Sequence, residues 1–221
     1  GIFSDVGTLD THTVDVDWGD GTIDTSVPVS NGTVILTHQY LDNNGDTDYP
    51  IRITLFDDDG GSATVDTSVF VANVAPANNP NSVSAIVEDG VATLTGTFSD
   101  AGTLDTHVLT IDWGDGSLEE DLPIDGGTYQ RTHRYLDDNE IDQYTIVVDV
   151  IDKDGGLTSI EVPVVVTNVD PVIRFDAVPA IDENGLATVT GTIEDPGTLD
   201  TFTVELDWGD PLSPDNVETY T

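Results

Sequence analysis

Aspartates grouped in short turns are the residues of this chain with the clearest chemistry. Asp100 and Asp105 bracket one glycine-containing loop, and Asp152 and Asp154 stand in the turn Asp152-Lys153-Asp154-Gly155-Gly156. Similar turns occur earlier at Asp5, Asp10, Asp57 and Asp59, and Asp195 stands where a third such loop begins. Clustered carboxylates suit hard divalent cations, which take roughly six to eight oxygen ligands. Ca²⁺ is therefore the expected cofactor, with oxygens from Asn79, Asn81 or Ser82 expected to join Asp100, Asp105, Asp152 and Asp154. The same aspartates are equally suited to bond their own backbone as turn residues. A second stretch, Asp42-Asn43-Asn44-Gly45-Asp46-Thr47-Asp48, looks like part of a Ca²⁺ loop with alternating oxygens. It lacks the closing bidentate glutamate, and its later counterpart, Asp137 to Asp142, lacks the glycine.

Other chemistries find little support. There is no cysteine, hence no disulfide framework and no thiol nucleophile. No serine stands in a Gly-x-Ser-x-Gly elbow. Carboxylate pairs abound, but at this aspartate density they occur by chance. His12 and His107 match each other, yet Phe202 takes the third equivalent position, so an aromatic ring suffices there. His38 and His133 lie two residues before Tyr40 and Tyr135 on one strand face, which points to structural pairs. The tyrosines read as core anchors whose hydroxyls find a backbone acceptor. Asn31-Gly32-Thr33 fits a glycosylation sequon, a triplet common by chance. The expectation is a protein that is not an enzyme.

The elements that must position the aspartates repeat. Asp17-Trp18-Gly19-Asp20-Gly21 recurs as Asp112-Trp113-Gly114-Asp115-Gly116 and as Asp207-Trp208-Gly209-Asp210, and the three tryptophans are spaced by 95 residues each. A period of this length indicates tandem domains. Residues 1–75 form a first copy lacking its opening strands, 76–170 a complete copy, and 171–221 a copy lacking its second half. Apolar residues alternate before each tryptophan: Val14 and Val16, Leu109 and Ile111, Val204 and Leu206. That is the signature of a strand with one buried face. Seven strands are expected in the complete copy, near 82–87, 91–98, 107–113, 117–122, 127–135, 144–151 and 157–167, with 76–81 as linker. Pro163 suits an edge position in the last of them. Short strands separated by Gly/Asp turns indicate a β-sandwich, and no segment has helical periodicity. An odd strand count leads the chain in at one end and out at the other, which strings copies into an extended array.

Net charge is −38, from 43 acidic and 5 basic residues. Nucleic-acid binding and attachment to an anionic membrane surface are disfavoured, because both need clustered Lys and Arg. No apolar run approaches the length of a membrane span. So acidic a compact domain repels itself unless salt or bound cations intervene. The sequence has no methionine, and the expectation is a window from a longer chain whose targeting signals lie elsewhere.

The repeated Trp-Gly-Asp-Gly turn, the stretches Thr37-His38-Gln39-Tyr40 and Thr132-His133-Arg134-Tyr135, and the Asp-rich turn before the final strand resemble the polycystic-kidney-disease (PKD) repeat. The resemblance covers the whole chain and implies tandem immunoglobulin-like β-sandwiches. It implies an extracellular, secreted or cell-surface setting, with the array acting as a spacer or adhesive stalk of a large bacterial protein. Its partners would be neighbouring repeats of the same chain, with carbohydrate or a protein polymer as the alternative if the array is an accessory module of a secreted hydrolase. Some PKD domains of collagenases bind Ca²⁺ through the linker and the first Asp loop, which by motif implicates Asp100 and its counterparts Asp5 and Asp195. Pro211 departs from the pattern where the other copies have the second glycine, and it cannot supply the positive φ of that glycine. Tyr129 is the spare aromatic that would favour the accessory-module reading, since Val34 stands there in the first copy.

Overall fold

The structure is a computed structural model, and it describes residues 1–7, 9–29, 32–213 and 216–221. Asn31 of the sequon lies outside these. The described residues are all β, and no helix among them is long and apolar enough to cross a membrane.

Residues 1–75 contribute β1 (His12–Asp17), β2 (Ile23–Val29), β3 (Tyr49–Asp57) and β4 (Ser62–Val69), ordered β2-β1-β3-β4 in one antiparallel sheet. The middle stretch supplies β5 (Ala77–Pro80), β6 (Ile86–Val87), β7 (Val91–Ser99) and β8 (His107–Asp112). It continues with β9 (Leu118–Ile124), β10 (Thr128–Arg134), β11 (Gln143–Asp152) and β12 (Leu157–Thr167). These form a sheet β10-β7-β5 and a sheet β6-β12-β11-β8-β9. The run β9-β8-β11-β12 repeats the order β2-β1-β3-β4 one period later. Last come β13 (Val172–Phe175), β14 (Gly191–Glu194), β15 (Val204–Asp207) and β16 (Val217–Tyr220), in two antiparallel pairs.

The two middle sheets share one core. Leu94 and Tyr129 from one, and Leu109, Ile111, Ile146 and Val164 from the other, are buried together. The alternation of the sequence explains this, because period-two apolar residues fall on one face of each sheet. In residues 1–75 the matching face of β1 and β3 is covered only in part. It lines an open apolar trough of about 620 Å³ with Val14, Val16, Ile53 and Leu55 in its floor. Total accessible surface is 14354 Å². A compact monomer of this mass would expose about 9,800 Å², so the chain is far from a single sphere.

Two expectations for 76–87 are corrected. The Asn/Pro-rich segment 76–81 is not linker throughout: β5 pairs with β7 through Ala77↔Ser99 and Pro80↔Gly96. The strand expected at 82–87 shrinks to β6, which joins the opposite sheet in parallel with Val166 and Thr167. Composition misleads because Asn78 is buried. Its Nδ2 donates to Val148 O across the core at 3.1 Å, and its Oδ1 accepts from Tyr129 Oη at 2.9 Å. Satisfied in this way, an asparagine is tolerated inside. Pro163 does sit on an unpaired stretch of β12 edge, because β6 covers only the last two residues there.

Candidate metal centre

The tryptophan turns are built alike. Trp18 N donates to Thr22 O and Trp113 N to Ser117 O, closing five-residue reversals. Gly114 needs to be glycine: its φ is +82°, and a Cβ would lie 2.5 Å from Thr145 O. In the third copy the closing bond runs from Trp208 N to Asn216 O, a loop four residues longer. Each indole Nε1 donates to an acid on the next strand: Asp24 at 3.0 Å, Glu119 at 2.9 Å and Glu218 at 3.2 Å.

The histidines clamp these turns. His133 stacks on Trp113 with ring centroids 4.8 Å apart, and its Nε2 lies 2.7 Å from Asp115. His38 does the same with Trp18 and with Asp20 at 2.6 Å. Tyr135 Oη donates to Trp113 O at 2.8 Å, and Tyr40 Oη to Trp18 O at 3.0 Å. Burial works against ionisation of Asp20, but bonds from Thr22 and His38 outweigh it and hold the carboxyl down at about 2. The Thr22 hydroxyl and Asp20 both address Nε2 of His38. One ring nitrogen therefore serves both, and the imidazole does not relay a proton from hydroxyl to acid as a catalytic triad would.

The aspartate loops meet as follows. Asp100, Asp105 and Asp152 each bring one oxygen within 4.8 Å of the others. All three are already engaged, Asp105 through its Oδ1 and Lys153 at 2.6 Å. Asp100 accepts from Gly102 N at 3.0 Å and pairs with His107 at 2.9 Å. Asp152 accepts from Asp154 N, Gly156 N and the Asn73 amide at 2.8 to 2.9 Å. Only Asp105 keeps an oxygen, Oδ2, that is buried and without a partner. Burial raises the Asp105 pKa, together with the charges of Asp42 and Asp100, against the opposing pull of Lys153.

Asp154 belongs to a different group. Lys153 Nζ lies 2.6 Å from Asp105, 2.6 Å from Asp154 and 2.8 Å from Asp42. Burial alone would lower the lysine pKa, but the three carboxylates hold it well above the usual range. Of the expected linker residues Asn79, Asn81 and Ser82, the first two are engaged elsewhere. Asn79 is within β5, Asn81 Nδ2 donates to Thr95 Oγ1 at 2.8 Å, and the linker residue that arrives is Asn73. Of the stretch 42–48 only Asp42 enters an acidic group among the described residues, while Asp48 accepts from Ser68.

In the first copy Asp5 caps Gly7 N and pairs with His12, and Asp57 accepts from Gly61 N. The Asp10 pKa is raised by burial and by the charges of Asp5, Asp57, Asp58 and Asp59. These residues form no three-carboxylate group among the described residues. In the third copy Asp195 accepts from Gly197 N, and its Oδ2 is buried without a partner. The histidine that would pair with it is replaced by Phe202.

The contacts between copies recur. Thr103 N donates to Leu41 O at 3.1 Å, and one period later Thr198 N donates to Leu136 O at 3.1 Å. Each contact carries an acidic group: Asp42, Asp105 and Asp154 at the first, Glu88, Asp137 and Asp200 at the second. Glu88 escaped the sequence reading. Its one signal was a glutamate beside an Asp-Gly turn, in a chain where acids are everywhere.

In comparisons with known proteins, no family model matches the chain and no curated protein matches it.

Proposed function

We propose that this chain is part of a non-catalytic array of PKD-type, immunoglobulin-like β-sandwiches. The array acts as an extracellular spacer or adhesive stalk of a secreted or cell-surface protein, with cations stiffening its junctions. The observation that carries the reading is the repeated contact between copies: the same threonine–leucine backbone bond, 95 residues apart, each time beside a cluster of carboxylates. A spacer needs a fixed relation between neighbours, and a contact repeated in register supplies one. Large exposed surface, the absence of cysteine and a charge of −38 suit a soluble linear array that draws cations from its medium. The accessory-module reading loses its aromatic candidate, because Tyr129 is buried and bonded to Asn78.

Small-angle scattering tests the proposal. A compact chain of this length has a radius of gyration of about 17 Å. The array reading expects a clearly larger value, with a rod-like distance distribution in the presence of Ca²⁺. A value near the compact one overturns it.

A further inference from the structure

Each copy has a short loop that opens on an aspartate, and the third loop differs from the others at two positions. The residue after the aspartate is Val6, Ala101 and then Pro196, and the ring seven residues on is His12, His107 and then Phe202. In all three loops Oδ1 accepts from the backbone N–H two residues on: Gly7 at 3.1 Å, Gly102 at 3.0 Å and Gly197 at 2.8 Å. In the first two loops Oδ2 pairs with the histidine at 2.9 Å. Phe202 offers no such partner, and Asp195 Oδ2 is buried and unpartnered. One exchange thus frees a carboxylate oxygen, and the other turns the bond behind it into Asp–Pro.

These two changes act on one bond. A proline nitrogen carries no hydrogen in the chain and leaves as a secondary amine once a proton reaches it. A proton source stands across the contact between copies. Glu88 is 1% exposed. Its Oε1 accepts from Val169 N at 2.6 Å, while Oε2 is buried with no partner. Oε2 lies 2.6 Å from where a Cβ on Gly197 would stand, one residue past Pro196, and Asp137 and Asp200 lie beside it. Keeping that carboxyl charged without a partner is costly, so burial favours its protonated form. The other two Asp–Pro bonds, Asp170–Pro171 and Asp210–Pro211, begin at exposed aspartates that join no three-carboxylate group among the described residues.

We propose that the peptide bond between Asp195 and Pro196 cleaves itself. Asp195 Oδ2 attacks the backbone carbonyl carbon of its own residue, forming a C–O bond and a cyclic anhydride. The C–N bond to Pro196 breaks, and the nitrogen takes a proton from Glu88. One water molecule opens the anhydride, leaving Asp195 with two carboxyl groups, one of which returns the proton to Glu88. The bond lies just before Thr198, whose N–H holds the contact to Leu136. The pairs β13–β14 and β15–β16 share no ladder among the described residues, so cleavage parts 1–195 from 196–221. Glu88 and Asp195 belong to different copies, and the reaction therefore requires the two copies to be in contact.

The test is intact-mass spectrometry of the 221-residue chain held in mildly acidic buffer with chelator. The expectation is fragments 1–195 and 196–221, formed at a first-order rate independent of protein concentration and at least about tenfold faster than fragments from Asp170–Pro171 or Asp210–Pro211. Urea, which separates the copies, removes that advantage. Pro196→Ala and Phe202→His each restore the residue of the middle copy. Each lowers the rate at least about tenfold, the first by removing the leaving group and the second by engaging Oδ2. Glu88→Gln keeps the side-chain shape and the oxygen that accepts from Val169, removes the proton donor, and slows cleavage by the same factor. Circular dichroism checks that each variant keeps its strands. The proposal is overturned if nothing is cut at 195–196, if that bond is cut no faster than the other two, if its advantage survives in urea, or if the rate is unchanged in Phe202→His or in Glu88→Gln.

Discussion

Replacing Lys153 by methionine tests how the first junction is held. The substitution keeps the apolar stem and removes the ammonium, leaving Asp42, Asp105 and Asp154 facing one another. The lysine is 34% exposed, Asp105 is 1% exposed, and Asp42 and Asp154 are each 19% exposed. Exposed ion pairs contribute about 0–1 kcal/mol, whereas removing one partner of a buried pair costs about 3–5 kcal/mol. One buried and two partly exposed contacts place the loss between these limits, at about 2 kcal/mol. Asp105, Lys153 and Asp154 all belong to the middle repeat, so the loss registers in that unit's own unfolding. At roughly 4 °C per kcal/mol for a unit near 100 residues, the melting temperature in chelator falls by about 8 °C. Calcium then substitutes for the missing ammonium. At a hundredfold excess over its dissociation constant a ligand returns about 2.7 kcal/mol, enough to offset the loss. Differential scanning calorimetry of parent and variant, in chelator and in Ca²⁺, reads both effects. An unchanged melting temperature in chelator would refute the claim that Lys153 holds the acids. A loss that Ca²⁺ does not restore would refute the claim that this group accepts a divalent ion in place of an ammonium.

Tyr135→Phe leaves the buried Trp113 carbonyl without its 2.8 Å donor and costs about 1–3 kcal/mol by chemical denaturation. Tyr40→Phe costs less, because that hydroxyl is nearer water. Gly114→Ala strains a φ of +82° and drives a methyl against Thr145 O, with an expected loss of at least about 1–3 kcal/mol and visible weakening of the tryptophan emission signature of the folded turn. Acid stability has a predictable sign. Asp20 is held down at about 2, below the ordinary value near 3.9, so its stabilisation is full above about pH 4 and is lost as pH falls toward 2. Glu88, Asp105 and Asp200 are raised, so their contribution is full at low pH and is lost as pH climbs past the ordinary carboxylate range. Thermal melts across pH in chelator should therefore peak in mild acid, and Ca²⁺ should remove the decline on the neutral side. A melting temperature that stays flat from mild acid to neutrality in chelator would contradict this.

Strand positions were legible because side-chain alternation is a local property. Val14 and Val16, or Leu109 and Ile111, declare a buried face without knowledge of what covers it. The failures came where a polar residue is buried by a long-range bond. Asn78 turned an apparent linker into β5, through partners at Tyr129 and Val148 that local composition does not reveal. Tyr129 looked spare for the same reason.

The aspartates show the division most clearly. Their abundance, their placement in glycine turns and the 95-residue period are written in the sequence. Together these determine that acidic loops gather at the ends of the repeated units. Which carboxylates meet is decided by the tertiary structure. Asp42 reaches Lys153 across 111 residues of chain, Val169 seats Glu88 across 81, and Asp100 and Asp152 are already engaged by histidine and backbone. Electrostatic energy depends on separation and burial in space. Among 43 acidic residues of similar appearance, only folding singles out the few that lie buried without a counter-charge.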